Sequence, residues 1–170
     1  KLSYYQVVVT LGTKELAYAE YVCDSIEKLF GARPKIAFRK DGFRDVYLCS
    51  SELTEWLRKE GLVYNKVLSR VDMPEWIFQK KEYMRRFLRG FFDTDGSIYK
   101  LKFGIKISFN NKSQPLLQST REVLQKLGFS TSRVSGFKVY LTKRNDVVRF
   151  FEEIKPANPK HQVRFKQFWN

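Results

Sequence analysis

The chain has almost none of the residues on which many active sites are built. His161 is its single histidine, so neither a histidine-based nuclease centre nor a His/Cys zinc site can be assembled. Its two cysteines, Cys23 and Cys49, are far apart and in no metal-binding spacing; they read as buried thiols kept reduced. No P-loop or dinucleotide glycine pattern occurs, which argues against nucleotide-driven work. No apolar run approaches the roughly 18 residues of a membrane span. No signal peptide is visible, so the expected location is a prokaryotic cytoplasm or an organelle, not the secreted space. Acidic residues are outnumbered as well: 18 Asp and Glu stand against 32 Lys and Arg, a net charge of +14.

What is present fits a folded chain with a polyanionic partner. Its 170 residues suit one domain or two small ones. The 15 Phe, 9 Tyr and 3 Trp, with 29% charged residues, describe a globular protein and not a disordered basic tail. Phosphate polyanions are the natural partner for such a positive excess, through counterion release. A membrane surface is disfavoured, because the cations are spread among strand-like segments and form no polybasic helix face.

The chain is written nearly twice. Gln6–Thr10 is a short apolar strand, followed by a helical pattern with Leu16, Ala19, Val22, Cys23, Ile26, Leu29 and Phe30 on one face, closed by Gly31. Lys35–Phe38 and Arg44–Leu48 then form a hairpin over Asp41-Gly42, and a helix runs from about Glu52 to Lys59. From Gly104 the order recurs. Ile105–Phe109 is a strand, and Leu116, Leu117, Thr120, Val123, Leu124 and Leu127 form a helix face closed by Gly128. Arg133-Val134 and Phe137–Leu141 form a hairpin over Ser135-Gly136, and a helix runs from about Asp146 to Glu153. Gly31 pairs with Gly128, Val46-Tyr47-Leu48 with Val139-Tyr140-Leu141, and Lys66 with Lys160, at a nearly constant offset. The fold class is therefore α+β, two pseudo-repeated units with antiparallel sheets: residues 1–72 and residues 73–170.

Between the copies, Asp72-Met73-Pro74 suits a helix start, and an apolar helix over 80–96 ends in Leu88-Arg89-Gly90-Phe91-Phe92-Asp93-Thr94-Asp95-Gly96. Glycine after the last periodic residue is a common helix stop. Acidic side chains at a helix C-terminus are unfavourable by some tenths of a kcal/mol, so Asp93 and Asp95 suggest that a cation joins them. An EF-hand is disfavoured, since glycine falls too early and Gly104 stands where the closing glutamate belongs.

This segment resembles the signature of the LAGLIDADG homing endonucleases. Leu88, Gly90, Asp93, Asp95 and Gly96 are identical to it, Phe91 and Phe92 keep its apolar character, and Arg89 and Thr94 depart from it. The layout resembles the two-repeat members over essentially the whole chain, except that the first signature helix is absent. The resemblance implies that Asp95 is the metal-binding acid, with the Thr94 carbonyl as a further ligand and Mg2+ as the working ion, Mn2+ or Ca2+ substituting. It implies that Lys66 and Lys160 stand beside the scissile phosphates and that Asn111 lies near the metal-bound water. Gly90, flanked by Leu88 and Phe91, would let a partner helix approach closely: an upstream signature helix, giving a pseudo-symmetric monomer, or the same helix in a second chain, giving a homodimer.

Read as one strand, residues 100–109 place Lys100, Lys102, Lys106 and Ser108 on one parity and Leu101, Phe103, Ile105, Ile107 and Phe109 on the other. Lys35 and Arg39 stand likewise opposite Ile36 and Phe38, and Arg44, Arg133 and Lys138 lie in the hairpins. A basic sheet face suits the major groove, where long polar side chains read base edges. The expected whole is a saddle over a long, specific double-stranded DNA target, acting as a site-specific endonuclease. A freestanding intron-encoded enzyme is preferred to an intein, since no splicing residues stand at the ends. The competing reading is a protein of the same fold that binds without cutting, an RNA maturase or a DNA-binding regulator.

Overall fold

The computed structural model describes residues 5–62 and 70–169. Two compact units divide the chain after Glu60. The sequence reading assigned 61–72 to the first repeat. The structure ties its end to the second unit: the Ser113 hydroxyl donates to the Val71 carbonyl, and the Ser119 hydroxyl donates to Asp72 at 2.7 Å.

The first unit comprises β1 (Gln6–Leu11), α1 (Leu16–Phe30), β2 (Lys35–Phe38), β3 (Arg44–Cys49) and α2 (Ser51–Lys59). Its antiparallel sheet runs in the order β1–β3–β2, with Val9, Val46 and Ile36 in register. α1 ends at Gly31, whose φ of 70° turns its N–H onto the Glu27 carbonyl, the left-handed stop that glycine alone adopts without strain. α2 begins at Ser50, whose hydroxyl accepts from the Leu53 N–H at 3.1 Å. The core is small: Leu11, Tyr18, Ala19, Cys23, Val46 and Leu53. Leu16, Leu29 and Phe30, expected on the buried stripe of α1, are exposed, although α1 packs on β3. Cys23 is buried as expected, but Cys49, at the end of β3, is exposed; both are free thiols.

The second unit comprises a 3-10 turn at Glu75–Gln79, then α3 (Lys81–Asp95), β4 (Gly96–Leu101), β5 (Gly104–Asn110), α4 (Gln114–Lys126), β6 (Lys138–Leu141), α5 (Arg144–Glu153) and α6 (Pro159–Trp169). Its antiparallel sheet runs β4–β5–β6. Arg133-Val134 forms no strand; the expected hairpin is reduced to the bridge between Ser135 and Lys138. α3 buries Met84, Leu88, Phe91 and Phe92, the spacing of a helix with one apolar stripe. Phe92 lies at the centre of the core, its ring 5.0 Å from Phe150, 5.5 Å from Phe109 and 4.5 Å from His161. His161 is fully buried, so the sole histidine belongs to the core.

Gly96 ends α3 as expected, but in an extended conformation, with a φ of −78° and a ψ of 157°. The helix passes into β4 with no loop. Glycine is required for close approach: a Cβ here would overlap the ring and carbonyl of Phe92. Gly90 is the opposite case, exposed, with nothing within 4 Å of where its Cβ would stand. Gly96→Ala is therefore expected to lower the unfolding free energy by about 1–3 kcal/mol. Gly90→Ala should raise it by about 0.5–1 kcal/mol. Urea denaturation of the two variants measures both signs.

Candidate nucleic-acid interface and metal centre

A helix turns 100° per residue, so side chains two apart point to nearly opposite sides. Asp93 follows the buried Phe92 and is itself buried, leaving 1% of its surface exposed. Asp95 therefore faces outward, and it and Thr94 are exposed. Asp93 accepts from the backbone N–H groups of Ala157 at 2.9 Å and Asn158 at 3.0 Å. The Asn158 side-chain amide donates back to the Asp93 carbonyl at 3.0 Å. Burial pushes the Asp93 carboxyl up from its ordinary range, opposed by these two N–H donors and by the charges of Arg89 and Lys160. Arg89, where the signature has alanine, donates to the Ile154 carbonyl at 2.7 Å and closes the end of α5. The turn between α5 and α6 is thus tied to the end of α3, and it sets Lys160 at the start of α6, its N–H donating to Asn158 Oδ1 at 3.2 Å.

The outward side of this junction is polar. Asn110 donates through Nδ2 to the Asp95 carbonyl at 2.8 Å and to Ser97 Oγ at 3.4 Å, and its Oδ1 accepts from Ser108 Oγ at 3.2 Å. Asn110, not Asn111, is the amide beside Asp95. Asn111 has turned away and accepts from the Ser113 N–H at 2.9 Å ahead of α4. The strand's parity was the available signal, since Asn110 shares the face of Lys106 and Ser108. Thr94 spends its hydroxyl on the Gly90 and Phe91 carbonyls, leaving its backbone oxygen as the candidate donor at the helix end.

Register defines the open face of the sheet. Ser97, Ser108 and Tyr140 lie abreast, Tyr99 is beside Lys106, and Asn110 is beside Lys138. Lys106 stands between two rings, its ammonium 5.5 Å from Tyr99 and 4.7 Å from Tyr140. A hydrogen bond with Ser108, opposed by partial burial and aided by Ser97 and by the charges of Lys138 and Lys106, lowers the Tyr99 phenol below its usual value. Ser108 is fully buried and acts as a fixed anchor beneath this surface, so it does not present a hydroxyl for direct readout. The continuous strand expected over 100–109 is instead a hairpin turning at Lys102-Phe103, with Gly104 at φ 104°. The reversal puts Lys100 opposite Ile105, on the parity of the core-facing Ile98, and not with Lys106. Lys102 is in the turn, and Arg133 is exposed.

In the first unit, Lys35 is exposed and pairs with Tyr47. Arg39 lies past the end of β2, bonded to Asp41 at 2.8 Å. Arg44 is on the parity of the buried Val46 and donates to the carbonyls of Gly12 and Thr13, so its guanidinium braces its own loop. Lys66 lies outside the described residues. Leu88 and Phe91 face the core of their own unit, leaving Gly90 and Thr94 on the exposed side of α3.

Residues 82–155, within the second unit, match the LAGLIDADG-like domain. Over 75 residues the chain is 40% identical to the replication factor C small subunit of Methanocaldococcus jannaschii, a match spanning 44% of this chain and 4% of that protein. The fold is that of the LAGLIDADG homing endonucleases. A structure of the homing endonuclease I-DmoI in complex with its target DNA and magnesium is similar with a TM-score of 0.63 at 18% identity, covering 91% of this chain and 83% of that one. The N-terminal LAGLIDADG domain of WhiA is similar with a TM-score of 0.58 at 17% identity, covering 91% of this chain and 72% of that one. No helix of the described residues is long and apolar enough to cross a membrane.

Replacing Asp93 by Asn leaves a donor facing two backbone donors. Asp93→Asn is expected to lower the unfolding free energy by about 1–3 kcal/mol. Exchange of the Ala157 and Asn158 amide hydrogens should accelerate in the variant, and NMR measures both.

Proposed function

We propose that this chain is part of a site-specific, metal-dependent double-strand DNA endonuclease of the LAGLIDADG type. The observation that carries this reading is the junction of α3 and β4, where an outward carboxylate, Asp95, adjoins a polar, cation-bearing sheet face. The donor set fits a hard divalent ion. Asp95 supplies a carboxylate and Thr94 a backbone carbonyl, and Mg2+ is commonly held by one or two carboxylates with waters and phosphate oxygens. Among the described residues no group of three or more His, Cys, Asp or Glu side chains gathers as a metal site, so this helix end supplies only part of a coordination sphere. Bound there, the ion would neutralise phosphate charge and lower the pKa of a bound water.

The chain's own residues would bind and orient. Asn110 holds the Asp95 backbone, Lys160 offers a cation to the charge that develops on the phosphate, and Lys66 has the same proposed role. Lys106 and Lys138, with the exposed Lys35, Lys102 and Arg133, supply phosphate and base-edge contacts. The exposed side of Gly90 is the proposed seat of a second signature-type helix, and that helix would bring a second acid.

A binding protein without cleavage is the second reading, favoured by the lone outward acid, Asp95, in the last turn of α3. A target selected from random duplexes and cloned into supercoiled plasmid separates the two. Linear product is expected with Mg2+, none with EDTA, and a fall on the order of 10²-fold or more for Asp95→Asn with binding retained. Retained binding with no wild-type cleavage in Mg2+ or Mn2+ would favour the second reading.

A further inference from the structure

The hairpin joining β4 to β5 carries a side chain that its own fold does not use. Phe103 is 87% exposed. It occupies a tight turn, where Gly, Asn and Asp are the residues that turn geometry favours. The Lys102 ammonium lies 5.3 Å from the centre of its ring. The first unit repeats the arrangement with different residues. At the end of its β2–β3 hairpin, Phe38 is 70% and Phe43 44% exposed, and the guanidinium groups of Arg44 and Arg39 stand 5.2 Å and 6.0 Å from those rings. Each sheet thus ends in a hairpin whose phenylalanines lie beside cations; in the first unit those cations already serve the Gly12 and Thr13 carbonyls and Asp41, whereas Lys102 is exposed beside Phe103.

A protein partner would have to desolvate the Lys102 ammonium to reach an apolar spot one ring wide, far below the few hundred Å² of a docking patch. Duplex DNA offers the complementary pairing: a phosphate for that ammonium and, beside it in the major groove, the C5-methyl of thymine, which phenylalanine contacts well. Between Asp95 and Phe103 lie about seven residues of extended chain, roughly 23 Å at the rise of a β-strand. That distance corresponds to roughly six or seven steps of duplex at 3.4 Å each.

We propose that Phe103 is a specificity-determining residue that selects a thymine, through its methyl group, about six or seven base pairs from the phosphate nearest Asp95. The proposal rests on the duplex-binding reading above and adds the base that one side chain reads.

The test selects binding sites from a random duplex library with the wild-type chain, Phe103→Ser and Phe103→Leu, each checked for an unchanged melting transition. The wild-type consensus is expected to hold a thymine at that spacing. Deoxyuridine in its place should weaken wild-type binding about three- to fivefold, the worth of one methyl removed from water. Phe103→Ser should lose that preference and keep the others, and Phe103→Leu should keep part of it. A consensus indifferent to Phe103, as expected of a protein-docking side chain, overturns the proposal and leaves the duplex-binding reading standing. So does equal binding of thymine and deoxyuridine. Failure to enrich any duplex overturns both.

Discussion

One buried carboxylate organises the second unit. Asp93 lies among phenylalanines yet accepts from two backbone N–H groups 64 and 65 residues further along the chain, and the Asn158 amide returns the bond. Desolvation opposes the ionised form, and the fixed donors oppose desolvation. Because Asp93 points inward, helical geometry turns Asp95 outward. Because the α5–α6 turn is the partner of Asp93, Lys160 is fixed relative to the same helix end. Arg89 adds a second tie, from mid-helix to the Ile154 carbonyl just past the end of α5. The outward acid and the nearby lysine are thus placed by a group that takes no part in the proposed chemistry.

The open face of the second sheet continues from that anchor. Asn110 joins the Asp95 carbonyl to Ser108, and Ser108 in turn reaches Tyr99. Lys106 rises between two tyrosine rings above this polar floor. An ammonium flanked by rings on both sides samples fewer positions than one on a free stem, so this cation offers a more defined contact than its exposed neighbours. The face passes from a carboxylate end to an aromatic, cationic middle and then to a hairpin tip.

Much of this was legible in the residues. Period-3.6 patterning gave α1, α3, α4 and α5, the turn dipeptide Asp41-Gly42 gave the first hairpin, and the nine residues ending in Gly96 gave the helix end. The misreadings have local causes. Alternation is blind to a two-residue turn that preserves it, so Lys100 was put with Lys106 although the chain reverses between them; the glycine at 104 was the mark of that turn. The contact of Asn110 with the Asp95 carbonyl was not read, because a strand's last residue is not fixed by pattern. Gly96 ends the helix as read, but sequence does not reveal that Phe92 folds back against it, which is what requires glycine there. Arg44 was counted as an outward cation, whereas its partners are two carbonyls that only the folded β1–α1 loop brings together.

The direct passage from α3 into β4 has a further consequence. A loop between them would absorb small displacements of the strand; here the last helical residue and the first strand residue are consecutive. Tilting the strand by an ångström must therefore swing the acid at the helix tip. Under the endonuclease reading proposed above, an ill-fitting sequence under the sheet would misalign the acid as well as weaken attachment, so selectivity would be exercised on turnover and occupancy together.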